Sequence, residues 1–140
     1  MLQVLGLYTN IQFYQANGED MSFLESGTFD LINYAYVLHE MPADNCRRVV
    51  NEMYRLLGSG GVMNGFEVPY VADPVERFFY IESNTWGHHW DDEGEKGPEP
   101  YIEEYELGAE LTNTLEQVGF VDVQQIDYTY FESIFLATKK

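Results

Sequence analysis

The chain has 140 residues with 24 acidic and seven basic side chains, and its net charge of −17 argues against nucleic acid or anionic membranes as partners. The length allows one domain with a single core, and no apolar run approaches the roughly 20 residues that cross a bilayer. The single cysteine, Cys46, excludes an intrachain disulfide, and together these features predict a cytoplasmic protein.

The first part of the chain predicts two strands separated by turns. Residues 11–16 form a short apolar and aromatic run, typical of a strand, that ends at the turn signal Asn17-Gly18. Residues 29–38 are apolar without alternation, which is typical of a strand buried on both faces of a parallel sheet.

The next segment has the periodicity of an amphipathic helix. Pro42 suits its first turn, and five apolar residues then share one stripe: Cys46, Val49, Val50, Met53 and Leu57. Gly58 is a suitable helix stop, and residues 62–68 predict another strand.

The last part of the chain predicts a long loop, a helix and a hairpin. Residues 69–106 are acidic and rich in glycine and proline, which favours a lid or substrate loop. A second apolar stripe ends at Gly119 and comprises Leu107, Leu111, Leu115 and Val118. Residues 120–128 and 132–138 predict two antiparallel strands. The order predicts a single α/β domain over residues 1–140, equivalent to the second half of a sheet.

Five segments carry a family resemblance: 16–23 (ANGEDMSF), 29–32 (FDLI), 39–42 (HEMP), 52–61 (EMYRLLGSGG) and 119–123 (GFVDV). They are similar, in this order, to G-D-A-E-x-L-P-F, F-D-L-V, H-E-L-P, E-x-x-R-V-L-K-P-G-G and G-F-x-x-V of class I S-adenosylmethionine-dependent methyltransferases. The resemblance implies a partial Rossmann-like methyltransferase sheet, comprising the third to seventh strands and ending in an antiparallel hairpin. It also implies methyl transfer from S-adenosylmethionine to a small molecule.

The resemblance implies a set of site residues at the carboxyl ends of the strands. The cofactor set is Asn17, Gly18, Glu19, Tyr34 and Ala35, with the Asn17 amide oxygen as the acceptor for the adenine N–H. The substrate set is Tyr36, His39, Trp86 and His89. The acid/base candidates are His39 and Glu40.

Two features of the family are missing from the sequence. The glycine-rich loop D-x-G-x-G-x-G does not occur, since residues 58–61 (GSGG) follow a helix and act as a helix stop. The second strand, with its terminal acid for the ribose, is also absent. The resemblance therefore predicts only the C-terminal half of a methyltransferase domain, with an incomplete cofactor site and weak or absent catalysis by this chain alone. The alternative is a non-catalytic methyltransferase-like fragment or remnant that self-associates. A Rossmann dehydrogenase is disfavoured because it too needs a glycine-rich loop.

Several candidate residues have a structural interpretation as well. Asn17-Gly18 is also an ordinary turn sequence, and His39-Glu40 is also suited to polar structure at a strand end. The pair His88-His89 invites a metal site, but its spacing matches no compact zinc motif, and we expect no metal. Cys46 lies on the apolar helix stripe and is predicted to be core.

The same topology predicts self-association. In the family the fourth strand pairs with the first, so a chain without the first strand leaves an apolar edge that recruits another strand. That strand could be residues 11–16 or a strand from a second copy. We expect a homodimer with a two-fold axis, in which the N-terminal segments could be exchanged.

Overall fold

The computed structural model describes residues 11–67, 109–129 and 132–140. Its regular elements are β1 (Phe29–Ala35), α1 (Ala43–Leu56), β2 (Leu57–Glu67), α2 (Ala109–Val118), β3 (Phe120–Thr129) and β4 (Glu132–Lys139). A single 3-10 turn, Leu38–Glu40, lies between β1 and α1. The predicted α/β class is therefore confirmed.

The four strands form one sheet in the order β1-β2-β4-β3. Strands β1 and β2 are parallel and are joined through α1, whereas β4 is antiparallel to both of its neighbours, β2 and β3. The hairpin predicted at the end of the chain is therefore confirmed. Because β1 and β2 are parallel, their carboxyl ends meet at the same edge of the sheet, where polar side chains can converge.

One face of the sheet packs against both helices and forms the core. The stripe residues within α1 are buried as predicted, whereas Leu57 is buried as the first residue of β2, and α2 contributes Leu111 and Leu115. From the sheet, Met63 and Phe135 are fully buried against them. Each of these large apolar side chains contributes about 1.5–3 kcal/mol through removal from water.

The strand predicted at residues 11–16 is wrong. This segment is irregular and exposed, and the Phe13 side chain keeps 88% of its surface accessible. A short strand needs hydrogen-bonding neighbours and an apolar surface to cover it, and no described strand pairs with this one. Apolar composition alone therefore did not produce a strand.

Strand β1 is shorter and more exposed than predicted. It ends at Ala35, and of its residues only Tyr34 is buried, whereas Leu31 is 58% exposed. The expected burial on both faces is wrong because β1 lies at the edge of the described sheet. Its apolar composition is suited to a position inside a sheet.

The glycines at residues 58–61 belong to β2, and α1 already ends at Leu56. A Cβ on Gly61 would lie 2.9 Å from the Gly58 carbonyl oxygen and 3.1 Å from that of Phe29. Close backbone packing between β1 and β2 therefore explains why residue 61 is a glycine. The helix stop predicted at Gly58 is corrected accordingly.

Some predictions lie outside the described residues. They include the lid at 69–106, with Trp86 and His89, and Leu107 of the second apolar stripe. The single-domain organisation over 1–140 also stays a prediction. Neither described helix has the length and apolarity needed to span a membrane.

Lys139, at the end of β4, holds the C-terminal end of α1. Its Nζ donates to the carbonyl oxygens of Tyr54 and Leu57 at 2.8 and 2.7 Å. A helix leaves such terminal carbonyls without an internal partner. We expect Lys139→Met to lower the free energy of unfolding by about 1.5–3 kcal/mol, the range for hydrogen bonds to a charged group.

Urea unfolding measures this effect. The matched control is Lys140→Met, which changes the net charge equally at the exposed neighbouring residue. We expect the control to change stability by no more than about 0.5 kcal/mol. Equal losses in both variants would contradict the capping role of Lys139.

Candidate functional site

A buried histidine–carboxylate pair lies at the carboxyl ends of the parallel strands. His39, in the 3-10 turn after β1, is 4% exposed, and Glu67, the last residue of β2, is fully buried. His39 Nδ1 lies 2.6 Å from Glu67 Oε2. An ionised carboxylate only accepts hydrogen bonds, so a carboxylate at Glu67 requires the facing Nδ1 to carry a proton.

Glu67 also organises the backbone that carries His39. Its Oε1 accepts hydrogen bonds from the backbone N–H groups of Val37 and Leu38, at 2.8 and 2.7 Å. Behind the turn, the Cys46 thiol donates to the Leu38 carbonyl at 3.0 Å. Burial raises the pKa of that thiol to about 12, so Cys46 stays protonated and acts as core, as predicted. The three hydrogen bonds to Glu67 compensate for burying its charge.

The side chains of Glu40 and Tyr36 also lie beside the His39 ring. Glu40 Oε1 lies 3.5 Å from His39 Nε2, and its side chain is 55% exposed. The Tyr36 ring is nearly perpendicular to the imidazole, at 84° and with centroids 6.3 Å apart. The Tyr36 hydroxyl donates to a Glu132 carboxylate oxygen at the start of β4. This hydrogen bond, with burial and the charges of Glu132 and Glu67, raises the Tyr36 pKa to about 12.

The turn that contains Asn17, Gly18 and Glu19 is fixed by its own hydrogen bonds. Asp20 N–H donates to the Asn17 carbonyl, and Glu19 N–H donates to Asn17 Oδ1, both at 3.1 Å. The Asn17 amide oxygen thus accepts a local N–H, which is the turn interpretation of Asn-Gly. One of its two lone pairs stays available for a further donor.

Glu19 joins this turn to α1. Its carboxylate accepts from Asn45 Nδ2 and Arg48 Nε, each at 2.6 Å, and these contacts lower its pKa. Asn45 lies in the first turn of α1, which begins four residues after His39. The N-terminal part of α1 therefore contacts the Asn17 turn, while the segment just before the helix carries His39.

Farther along α1, Glu52 and Arg55 hold the loop at residues 21–26, which lies between the Asn17 turn and β1. Arg55 donates to the carbonyl oxygens of Met21 and Leu24, each at 3.0 Å, and to the Ser26 hydroxyl at 2.9 Å. Glu52 accepts from Met21 N–H at 3.1 Å and from the Arg55 guanidinium at 2.8 Å. The conformation of the loop before β1 therefore depends on α1.

The Glu52–Arg55 ion pair makes the free energy of unfolding depend on pH. The hydrogen bond from Arg55 is the largest cause that lowers the Glu52 pKa below 4.5 in the folded chain. The resulting stabilisation is fully present above the unfolded pKa and is lost as the pH falls through the folded pKa. Glu52→Gln should therefore flatten the acid limb of the stability curve, by about 1 kcal/mol or less because the pair is near the surface.

Urea unfolding between pH 2 and 7 checks this expectation. The control is Glu116→Gln, the same substitution at an exposed residue of α2, which should leave the slope of the acid limb unchanged. Parallel curves for wild type and Glu52→Gln would contradict the proposed role of Glu52.

The predicted site residues fall into three groups. Tyr36, His39 and Glu40 lie together at the carboxyl ends of β1 and β2, where Ala35 is exposed as the last residue of β1. Tyr34 instead faces the core, and its ring lies over Gly65 of β2. The Asn17 turn lies against α1, and Trp86 and His89 are outside the described residues. Among the described side chains, no cluster of histidine, cysteine and acidic residues could hold a metal.

Sequence reasoning missed the two acids that complete this site. Glu67 lies within the strand predicted at 62–68, and a lone acid at the end of an apolar strand is the signal that could have identified it. Glu132 gives no comparable signal, because its partner Tyr36 is 96 positions away in the chain.

Comparison with known sequences gives one family. Residues 2–64, a little under half of the chain, match the family described as a methyltransferase domain. A comparison with curated protein sequences gives no match.

Solved structures match over a larger part of the chain, at low identity. An O-methyltransferase family protein from Burkholderia thailandensis is 15% identical, with a TM-score of 0.62, and the match covers 92% of this chain and 36% of that protein. Human N-acetylserotonin methyltransferase, solved in complex with S-adenosylmethionine, is 18% identical, with a TM-score of 0.57 and coverages of 91% and 33%. The cyclase SpnF is 16% identical, with a TM-score of 0.57 and coverages of 91% and 56%.

These matches identify the fold and show how much of the related proteins this chain covers. The chain spans about a third of the length of the two methyltransferases, and the cyclase shows that the fold alone does not fix the reaction. The resemblance inferred from the sequence is nevertheless confirmed: residues 2–64 match the methyltransferase-domain family, and the chain has the fold of S-adenosylmethionine-dependent methyltransferases.

Proposed function

We propose that this chain forms part of an S-adenosylmethionine-dependent methyltransferase that acts on a small molecule, with His39 as the base that accepts the acceptor's proton. The observation that carries this proposal is the buried His39–Glu67 pair at the carboxyl ends of β1 and β2. Ligands of α/β proteins bind outside this edge of the sheet. A histidine whose Nδ1–H is held by a carboxylate is oriented to accept a proton at Nε2.

The proton transfer follows from the geometry of this pair. Nε2 takes the proton of an acceptor hydroxyl or amine as the methyl group is transferred, and the imidazolium that forms is stabilised by Glu67 at 2.6 Å. Glu40, at 3.5 Å from Nε2, adds a second negative charge beside the same ring. General-base catalysis of this kind contributes about 10²–10⁴-fold to the rate.

The described residues fit one side of the cofactor. When bound, S-adenosylmethionine supplies the electrophilic methyl group on a sulfonium. Asn17, Gly18 and Glu19 form a fixed turn for the adenine, and the exposed Ala35 leaves room beside the end of β1. The glycines at 58–61 do not serve the methionine end, because they lie at the opposite end of β2 from Glu67. That part of the site requires residues outside the described part or another polypeptide.

The rest of the proposal concerns the surroundings of the site. We infer that the segment 69–106 closes over the acceptor, with Trp86 and His89 at the pocket, since it is long and follows β2 directly. The charge of −17 disfavours nucleic acid and anionic membranes as acceptors. The lone, buried cysteine fits a cytoplasmic location.

Calorimetric titration of the purified chain with S-adenosylmethionine and S-adenosylhomocysteine tests the cofactor site. We expect saturable binding that Asn17→Ala weakens, whereas Asn113→Ala, the same substitution at an exposed residue of α2, leaves it unchanged. No binding up to millimolar cofactor would overturn the claim that this chain carries a working cofactor site. Methyl transfer from labelled cofactor to a panel of phenols and amines then tests the reaction.

Self-association is a second candidate function, favoured by the exposed edge of β1. Leu31 and Phe29 are accessible at one end of the described sheet order. Among the described strands β1 has a partner on one side alone, and an edge of this kind offers backbone groups and apolar side chains to a second copy. We propose a two-fold homodimer formed through β1, in which the N-terminal segments could be exchanged.

Light scattering after size-exclusion chromatography tests this dimer. Leu31→Lys should shift the chain toward the monomer, because a charge on this edge opposes strand pairing. Val121→Lys is the matched control, since Val121 is exposed on β3 at the other edge of the sheet. A monomeric wild type at micromolar concentration would overturn the dimer.

A further inference from the structure

A hydrogen bond across the sheet links the candidate base to β4. Tyr36 follows β1, Glu132 begins β4, and β2 lies between these two strands. The Tyr36 hydroxyl reaches over the carboxyl end of β2 and donates to the Glu132 carboxylate. The Tyr36 ring lies at 84° to the His39 imidazole, an edge-to-face geometry that is favourable for aromatic pairs.

The backbone of Tyr36 is held in an unfavourable conformation. Its φ is +52°, in the left-handed region that bulky residues rarely adopt. Such a residue persists only where its surroundings fix it. Tyr36 N–H donates to the Phe66 carbonyl at 2.8 Å, and the next two N–H groups both donate to Glu67. The strained conformation directs the Tyr36 side chain to Glu132.

We propose that Glu132 and Tyr36 are positioning residues that hold the His39 imidazole in the orientation in which its Nδ1–H faces Glu67. The inference rests on the proposed function, in which His39 is the base, and it adds two residues, of which Glu132 belongs to a different strand. Among the described residues, titratable side chains that contact His39 are Tyr36 from the end of β1, Glu40 beside it and Glu67 from β2. Glu132 reaches His39 through Tyr36.

The two ends of the link can be broken separately. Tyr36→Phe removes the hydroxyl and keeps the ring, whereas Glu132→Leu removes the acceptor and keeps the tyrosine. Glu132→Gln keeps an acceptor oxygen without the charge, and it therefore separates positioning from electrostatics. Glu116→Leu, at an exposed site on α2, is the control for losing a carboxylate.

The readout is the His39 ring itself, followed by ¹⁵N NMR of the full chain during a pH titration. We expect Tyr36→Phe and Glu132→Leu each to lower the His39 titration midpoint by about half a pH unit, because the bond from Nδ1–H to Glu67 favours the imidazolium and weakens when the ring turns. The double variant should match the larger single effect. Glu132→Gln and Glu116→Leu should stay near wild type.

Three results would overturn the inference: an unchanged His39 titration in both single variants, additive shifts in the double variant, or equal shifts in Glu132→Gln and Glu132→Leu. The last result would mean that Glu132 acts only through its charge. The test is independent of the proposed function, because His39 titrates whether or not the chain transfers methyl groups. Absence of methyl transfer with coupled titration would overturn the function alone.

Discussion

Glu67→Gln is expected to leave the chain folded but to reduce methyl transfer by about 10²–10⁴-fold. In the wild type, Oε1 accepts from Val37 and Leu38 while Oε2 accepts from His39. A glutamine has one acceptor oxygen, which the two backbone N–H groups retain, so its NH₂ group faces His39 Nδ1. The imidazole must then hold its proton on Nε2, and the lone pair that would accept the substrate proton is lost.

Two measurements check this expectation together. ¹⁵N NMR should show His39 switched to the Nε2–H tautomer, and initial rates with labelled S-adenosylmethionine should show the loss of activity. Urea unfolding should show a loss of about 1.5–3 kcal/mol, because hydrogen bonds to a charged acceptor become neutral ones. The double variant His39→Gln with Glu67→Gln should be no slower than the slower single variant, since the two residues act as a unit. Wild-type rates in Glu67→Gln would refute the assignment of His39 as the base.

Gly65→Ala is expected to lower the free energy of unfolding by about 1–3 kcal/mol through overpacking. Gly65 of β2 is paired with Tyr34 of β1, and the Tyr34 ring lies directly over it. A Cβ at residue 65 would overlap the ring atoms. Because Tyr34 is buried in the core, its ring cannot move away without disturbing its neighbours.

Chemical unfolding of a small set of variants measures this cost. Gly18→Ala is the control, because a Cβ there meets Val49 Cγ2 at 3.7 Å, an ordinary contact. We expect the control to change stability by less than about 0.5 kcal/mol. Adding Tyr34→Leu to Gly65→Ala should make the double variant less destabilised than the sum of the singles. Strict additivity would show that the ring is not the obstacle.

Local sequence patterns were sufficient for much of the fold. Helices α1 and α2 occur where apolar residues recur at helical spacing, and α2 ends at Val118, just before Gly119, whose φ is +116°. The hairpin of β3 and β4 also follows from short-range signals. Periodicity predicts these elements because each one buries a single face, so its apolar residues recur with the period of the helix or strand.

Sequence patterns gave wrong predictions where strand formation or burial depends on neighbouring strands. Residues 11–16 have a strand-like composition, but no described strand pairs with them, and they stay irregular. Residues 29–35 do form a strand, yet their burial was predicted wrongly because β1 lies at the edge of the described sheet. Apolar composition records what a segment is suited to contact, whereas pairing depends on which strands lie beside it.

The sequence by itself determined the family resemblance, the helix stripes, the parallel and antiparallel strands, and His39 as a candidate base. Only the tertiary structure joined His39 to Glu67, 28 positions apart, and Tyr36 to Glu132, 96 positions apart. The tertiary structure also places the Tyr34 side chain, which was predicted to contact the cofactor, in the core over Gly65. The physical reason is that periodicity reports which face of an element is buried, while the partners of a polar side chain are fixed by strand order and register.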